Sequence, residues 1–198
     1  MAFKDDVKNQ LFDCLPDDFV DPAMGYPPCN ENQLTGLLYL LDLRGRIDWR
    51  RVRLLTPENT VTNTTADSIL SGPGSLVSEY PLFAWDDEEV RTWHQMAADL
   101  VFLSDDNQRI VLIENKIGSN FTSGGDDVDT GQLARQVKYL LGCRIPEKHI
   151  VIISSGLFFD RGWYANELAA TLGRNDRRSE LQGHLICWEE IFNATKSR

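Results

Sequence analysis

Basic charge is scarce in this chain. Twenty lysines and arginines face 30 aspartates and glutamates, giving a formal net charge of −10 and a pI near 4.7. That balance excludes a protein that coats polyanions through a general basic surface, so any nucleic-acid contact must be local or helped by metal ions. Paired cysteines are missing as well. Cys14, Cys29, Cys143 and Cys187 lie far apart, with neither a disulfide framework nor paired zinc-ligand spacing, which suits a reducing cytoplasm. Residues 1–20 hold no signal-peptide core, and no apolar run is long enough for a bilayer, so a soluble cytoplasmic protein with no membrane contact is expected. Glycine-rich phosphate loops, nucleophile elbows and His-Glu-x-x-His helices are also absent.

What remains is an ordinary globular composition, 42% hydrophobic over 198 residues, which fits one domain with a core of its own. Phe3, Val7, Leu11 and Leu15 recur every four residues and predict a helix over 3–15. A second helix starts after Asn30, with Gln33 placed as in a capping box, runs through Leu34, Leu37, Leu38 and Leu41, and stops near Gly45. Strands are expected at 46–55 and 76–84, with a polar Thr-, Asn- and Ser-rich loop between them and an acidic turn at Asp86–Glu89 after the second. Two strong strands follow, Ala97–Leu103 and Arg109–Ile117, around the turn Ser104-Asp105-Asp106-Asn107. Beyond a Gly/Ser/Asp-rich loop at 118–129, the pattern reads helix 130–141, strand His149–Ser154, helix 163–172, strand Leu185–Trp188 and helix 189–196. That order makes a single α/β domain.

The chemistry concentrates in the hairpin. If the two strands close over Asp106–Asn107, facing residues have numbers summing to 213: Leu103 with Ile110, Val101 with Leu112, Asp99 with Glu114. Opposed side chains on one face sit roughly 4.5–5.5 Å apart at Cβ, and alternation adds Lys116 to that face. Two carboxylates so close repel unless a cation lies between them. Mg²⁺ or Mn²⁺ prefers such carboxylates together with water and phosphate oxygens. A neighbouring ammonium can orient a water and steady phosphate charge. These are the parts of metal-assisted phosphodiester hydrolysis.

The pattern Ala98-Asp99-Leu100-Val101-Phe102, then Val111-Leu112-Ile113-Glu114-Asn115-Lys116-Ile117, then Gly131-Gln132-Leu133-Ala134-Arg135 and Ile150-Val151-Ile152-Ile153, resembles the PD-(D/E)XK nuclease superfamily, in particular its bacterial and phage branch with a Glu-Asn-Lys motif. The resemblance covers about residues 30–155. It implies an α/β, restriction-endonuclease-like core with a central mixed sheet of about four to five strands flanked by helices. Residues 1–29 would be a helical extension, and 156–198 a closing helix–strand–helix. It further implies that Asp99 and Glu114 hold Mg²⁺ or Mn²⁺ and that Lys116 works on the attacking water. Glu31, in Asn30-Glu31-Asn32-Gln33, would add a carboxylate ligand directly or through water, and Gln132 would position the metal shell or the substrate strand. A bland reading stands beside each of the last two: Glu31 as a helix-start carboxylate suited to the dipole, Gln132 as a solvent-facing first-turn residue. Gln136 stands where the family places a tyrosine.

Arg44, Arg46, Arg50, Arg51 and Arg53 form a local basic strip, either for phosphate contacts or for the chain's own surplus acids. Trp49 within it either stacks on a base or packs in the core. Arg174, Arg177 and Arg178 form a smaller patch with the same two readings, and His94 and His149 have no partner at ligand spacing. The expectation is a Mg²⁺-dependent deoxyribonuclease, an endonuclease, with DNA ranked ahead of RNA and a role in DNA turnover or bacterial or phage defence. A protein partner or a second copy of the chain would supply the affinity that −10 denies. The alternative is a catalytically silent nuclease-like fold acting as a protein-binding or regulatory module.

Overall fold

The computed structural model describes residues 2–17, 19–21, 25–82, 97–121 and 131–196. The expected acidic turn Asp86–Glu89, His94 and most of the loop 118–129 lie outside them.

The chain opens with helix α1 (Ala2–Asp13), whose fourfold apolar spacing buries Val7 and Leu11. Helix α2 (Glu31–Leu43) starts where Asn30 predicts. The Gln33 N–H donates to Asn30 Oδ1 at 2.9 Å, while Gln33 Oε1 reaches back to the Cys29 N–H at 2.9 Å, one residue earlier than in a standard capping box. The single strand expected at 46–55 is broken. Ile47 bridges to Thr195, Trp49–Arg51 make one 3-10 turn, and only Arg53–Leu55 (β1) is strand. The polar loop that follows contains β2 (Val61–Thr65) and a one-turn helix α3 (Asp67–Leu70).

Next come β3 (Gly74–Pro81), β4 (Ala97–Ser104), β5 (Arg109–Asn115), α4 (Gln132–Gly142) and β6 (Glu147–Ser154). After these are α5 (Gly156–Asp160), α6 (Ala165–Gly173), β7 (Gln182–Cys187) and α7 (Trp188–Ala194). The sheet has seven strands in the order β2-β1-β7-β6-β5-β4-β3, against the four to five expected. β2 falls in the segment read as a polar loop, where five residues pair without any alternating apolar signal, and β1 keeps only the last three residues of the strand expected at 46–55. β3, β4 and β5 are antiparallel neighbours, β5, β6 and β7 run parallel, and β1 and β2 close the far edge antiparallel. At Gly74 any Cβ would lie 2.7 Å from the Leu103 carbonyl oxygen, so β3 can approach β4 there only as glycine.

Alternation splits the strand side chains between two helical layers. Leu100, Phe102, Ile113, Val151 and Ile153 pack with α2, α3 and α7 on one face. Val101, Leu112, Ile150, Ile152 and Leu185 meet α4, α5 and α6 on the other. Among the described residues no helix is long and apolar enough to cross a membrane. The parallel strands β5, β6 and β7 end side by side at Asn115, Ser154 and Cys187. The rim beyond such carboxyl ends is where open α/β sheets bind ligands.

Two histidines meet in the sheet away from that rim. His149 Nδ1 lies 3.1 Å from His184 Nε2, and His149 Nε2 lies 3.0 Å from Glu147 Oε1. Burial holds both below the ordinary imidazole value, His184 down to about 4. A depressed folded value leaves stability intact above 6.5 and removes it as pH falls toward the folded value. Across pH 7 to pH 4 the wild-type chain should therefore lose stability relative to His184→Gln by on the order of 2 kcal/mol in thermal melting. Parallel curves for the two proteins would contradict the assignment.

Candidate functional site

The hairpin register is the one expected: Leu100 faces Ile113, Val101 Leu112, Phe102 Val111 and Leu103 Ile110. The ladder stops one residue short of Asp99. There the Asp99 carboxylate itself accepts the Asn115 N–H, at 2.8 Å, so a side chain replaces a backbone partner and is drawn against β5. Asp99 is thereby tied to the centre of the motif, with its neighbour in sequence, Ala98, fully buried.

Glu114 is 0% exposed. Lys116 Nζ lies 3.2 Å from its Oε2, Gln132 Nε2 donates to the same oxygen at 3.0 Å, and Gln136 Nε2 donates to Oε1. Lys116 is itself buried, with its ammonium 5.1 Å from the centre of the Phe121 ring and 3.9 Å from Glu31 Oε1. Burial pushes the Glu114 carboxyl from 4.5 up to about 7, and the Asp99 charge adds to the rise. Lys116 and the amide of Gln136 oppose it. Burial also raises Asp99, against the pull of the Asn115 N–H and the Lys116 charge.

Glu31 is brought to the same place by the first turn of α2. Its Oε2 accepts the Ile117 N–H at 2.6 Å, and the Ser119 hydroxyl bonds both of its oxygens, at 2.9 and 2.8 Å. It therefore pins the segment leaving β5. Tyr164 pins it again: its hydroxyl accepts from the Gly118 N–H at 3.0 Å and donates to the Ser119 carbonyl at 2.8 Å. Asn115 fastens the motif from the opposite layer. Its Nδ2 donates to Thr35 Oγ1 at 2.8 Å, and its Oδ1 accepts from the Trp188 indole at 2.8 Å.

The structure thus assembles Asp99, Glu114, Lys116, Glu31 and Gln132 into one cluster. It adds residues that sequence reasoning did not assign. Gln136 is fully buried on Glu114, and its spacing of four from Gln132 on α4 was the available signal, since such residues share a helix face. Glu79, on β3, places its charge near Asp99. Asn115 was visible only as the middle letter of the motif.

The basic strip is not part of this cluster. Arg46 bonds the Lys196 carbonyl at 2.8 Å, Arg50 pairs with Asp48 at 2.9 Å and Arg53 pairs with Glu190 at 2.6 Å. Arg44 and Arg51 are exposed. Trp49 resolves as core: it is buried and donates to Asp42 at 2.6 Å. In the smaller patch Arg177 pairs with Glu180 at 2.6 Å.

Among the described residues no three Asp, Glu, His or Cys side chains form a ready-made metal cage. The donor set nonetheless fits a hard divalent cation in its usual enzymatic manner, with one or two carboxylates and the remaining positions left to water and substrate. Asp99 and Glu114 are desolvated carboxyl groups whose proximity adds to the rise at Glu114, and Gln136 Oε1 beside them is buried without a hydrogen-bond partner. A cation or the water it carries would answer both.

The sign of the Glu114 shift gives a metal-free prediction. A raised folded value contributes stability fully below pH 4.5, which is lost as pH rises through about 7. In chelator, wild-type melting should lose ground to that of Glu114→Gln as pH rises from 5 to 8.5. Equal slopes would show that Glu114 titrates normally. Comparison of the whole chain with known protein families, curated proteins and solved structures yields no match.

Proposed function

We propose that this chain is a metal-dependent nuclease of the PD-(D/E)XK kind, with a restriction-endonuclease-like core, that hydrolyses phosphodiester bonds. The observation that carries the reading is the buried Glu114 carboxylate with Lys116 at 3.2 Å and Asp99 beside it, at the carboxyl ends of parallel strands. Structural ion pairs are seldom assembled from two desolvated acids and one ammonium, because the surplus negative charge is costly to bury. Mg²⁺ or Mn²⁺, held by Asp99 and Glu114 with Glu31 directly or through water, would supply Lewis-acid polarisation of the phosphate and charge neutralisation at the leaving oxygen.

The chain's own residues account for the rest. Gln132 and Gln136 hold the two oxygens of Glu114 and so set its orientation. Lys116 keeps an ammonium beside that carboxylate, placed to hold the attacking water and the negative charge on phosphate oxygens. Water adds at phosphorus, the ester P–O bond breaks, and the products are a terminal phosphate and a hydroxyl. DNA is the preferred substrate in this reading, in the setting of DNA turnover or defence, in the cytoplasm. A protein partner or a second copy supplies affinity.

One observation favours the second reading, a silent nuclease-like fold that binds protein: three of the five strip arginines are spent on the chain's own oxygens. The experiment that separates the two is cleavage of linear, supercoiled and single-stranded DNA and of RNA with Mg²⁺ or Mn²⁺. Cleavage should stop in EDTA and fall by at least ~100-fold in Lys116→Ala. A protein inert with either metal on all four substrates would favour the binding module.

A further inference from the structure

A cavity of about 290 Å³ opens beside the candidate site, lined by Asn120, Phe121, Trp163, Tyr164, Asn166 and Glu167, with Gly162 in its wall. It is close to the lower limit of ligand pockets, room for a single ring system. Phe121 connects it to the site, because Lys116 lies against that ring.

The walls are aromatic and held rigid. Trp163 stacks on Phe158 with centroids 5.4 Å apart, and Phe121 meets Tyr164 edge-on at 6.0 Å. The rim is polar: two carboxamides and a carboxylate, all on exposed residues. The backbone is shaped to place them. Gly162 sits at φ +75, and any Cβ there would lie 2.4 Å from Asn166 Nδ2, so only glycine lets that amide settle into the wall. Tyr164 holds φ 61, a left-handed conformation that bulky residues seldom adopt. Two ammonium groups bracket the aromatic wall, Lys116 against Phe121 and Lys4 over Trp163 at 4.8 Å, with Lys4 also 2.7 Å from Asn120 Oδ1.

The geometry points to a subsite for one unpaired nucleobase next to the scissile phosphate, an inference that rests on the nuclease reading and specifies its substrate as a single-stranded or frayed strand. With Phe158 on its other side, Trp163 offers the base the face that Lys4 covers, once that ammonium swings out to a phosphate, and the amide and carboxylate groups take the base edge. The two ammonium groups take the phosphates on either side of that nucleoside. Glu167 accepts from exocyclic amino groups, so bases that carry one are preferred to thymine or uracil. A paired base is excluded, because the cavity admits a ring only when it has left the stack.

The test is fluorescence anisotropy in EDTA with labelled dC12, dA12, dT12, rC12 and a duplex of mixed sequence, on the wild-type chain and on Asn166→Leu and Glu167→Gln. The same proteins are then assayed for cleavage with Mg²⁺. Single strands should bind roughly tenfold more tightly than duplex, with dC12 and dA12 ahead of dT12. Each variant should lose roughly tenfold on dC12 while its thermal melting is unchanged. Comparison of rC12 with dC12 tells RNA from DNA. Equal binding of single strand and duplex, or variants that bind as wild type does, would overturn the subsite. Preferential single-strand binding without cleavage on any substrate would support the subsite and overturn the nuclease reading, so the two fail separately.

Discussion

The arrangement turns on one unfavourable placement: a carboxylate, Glu114, removed entirely from water at the end of a parallel strand. Isolated, a buried carboxylate costs several kcal/mol or takes up a proton. Here it is answered by an ammonium at 3.2 Å and two carboxamides, which still leave its carboxyl raised to about 7. Its neighbours follow from that need. Lys116 is buried because its partner is, and α4 presents two glutamines four residues apart because the two oxygens of Glu114 each require a donor.

The layers that carry the sheet also hold this charge in place. Asn115 reaches into the α2–α7 layer through Thr35 and Trp188, while Glu114 is held from the opposite layer by α4. A single strand end is thereby clamped from both sides. Glu31 and Tyr164 then fix the first residues beyond it, so the segment that leaves β5 starts in one conformation rather than many. Rigid support of that kind is what a site for charged substrate requires, since misplacement of about 1 Å can cost 100-fold in rate.

Much of this was legible in the sequence, for local reasons. The hairpin register followed from turn chemistry and alternation over Leu100–Leu103 and Ile110–Ile113, and helix α2 from Asn30 and its leucines. Asp99, Glu114 and Lys116 were legible as a set from the hairpin register, whereas Glu31 and Gln132 joined them only through the family resemblance. What escaped was non-local. β2 has no alternating pattern, because an edge strand with both faces exposed imposes none. The partners of Arg46 and Arg53 lie more than a hundred positions away in the chain, at Lys196 and Glu190. The contacts of Tyr164 and Trp188 with the motif depend on how the closing helices fold back, which no periodicity encodes.

Asp99 and Glu114 are proposed to hold surplus negative charge that a divalent cation neutralises. Calorimetric titration of Mn²⁺ at pH 7, in two buffers of different ionisation enthalpy, tests this directly. Binding should release protons, because a carboxyl with a folded value of about 7 is partly protonated at that pH and must ionise to bind metal. Asp99→Asn and Glu114→Gln should each abolish the heat, while His184→Gln leaves it unchanged. Absence of binding by the wild-type chain, or binding that survives both carboxylate substitutions, would contradict the proposal.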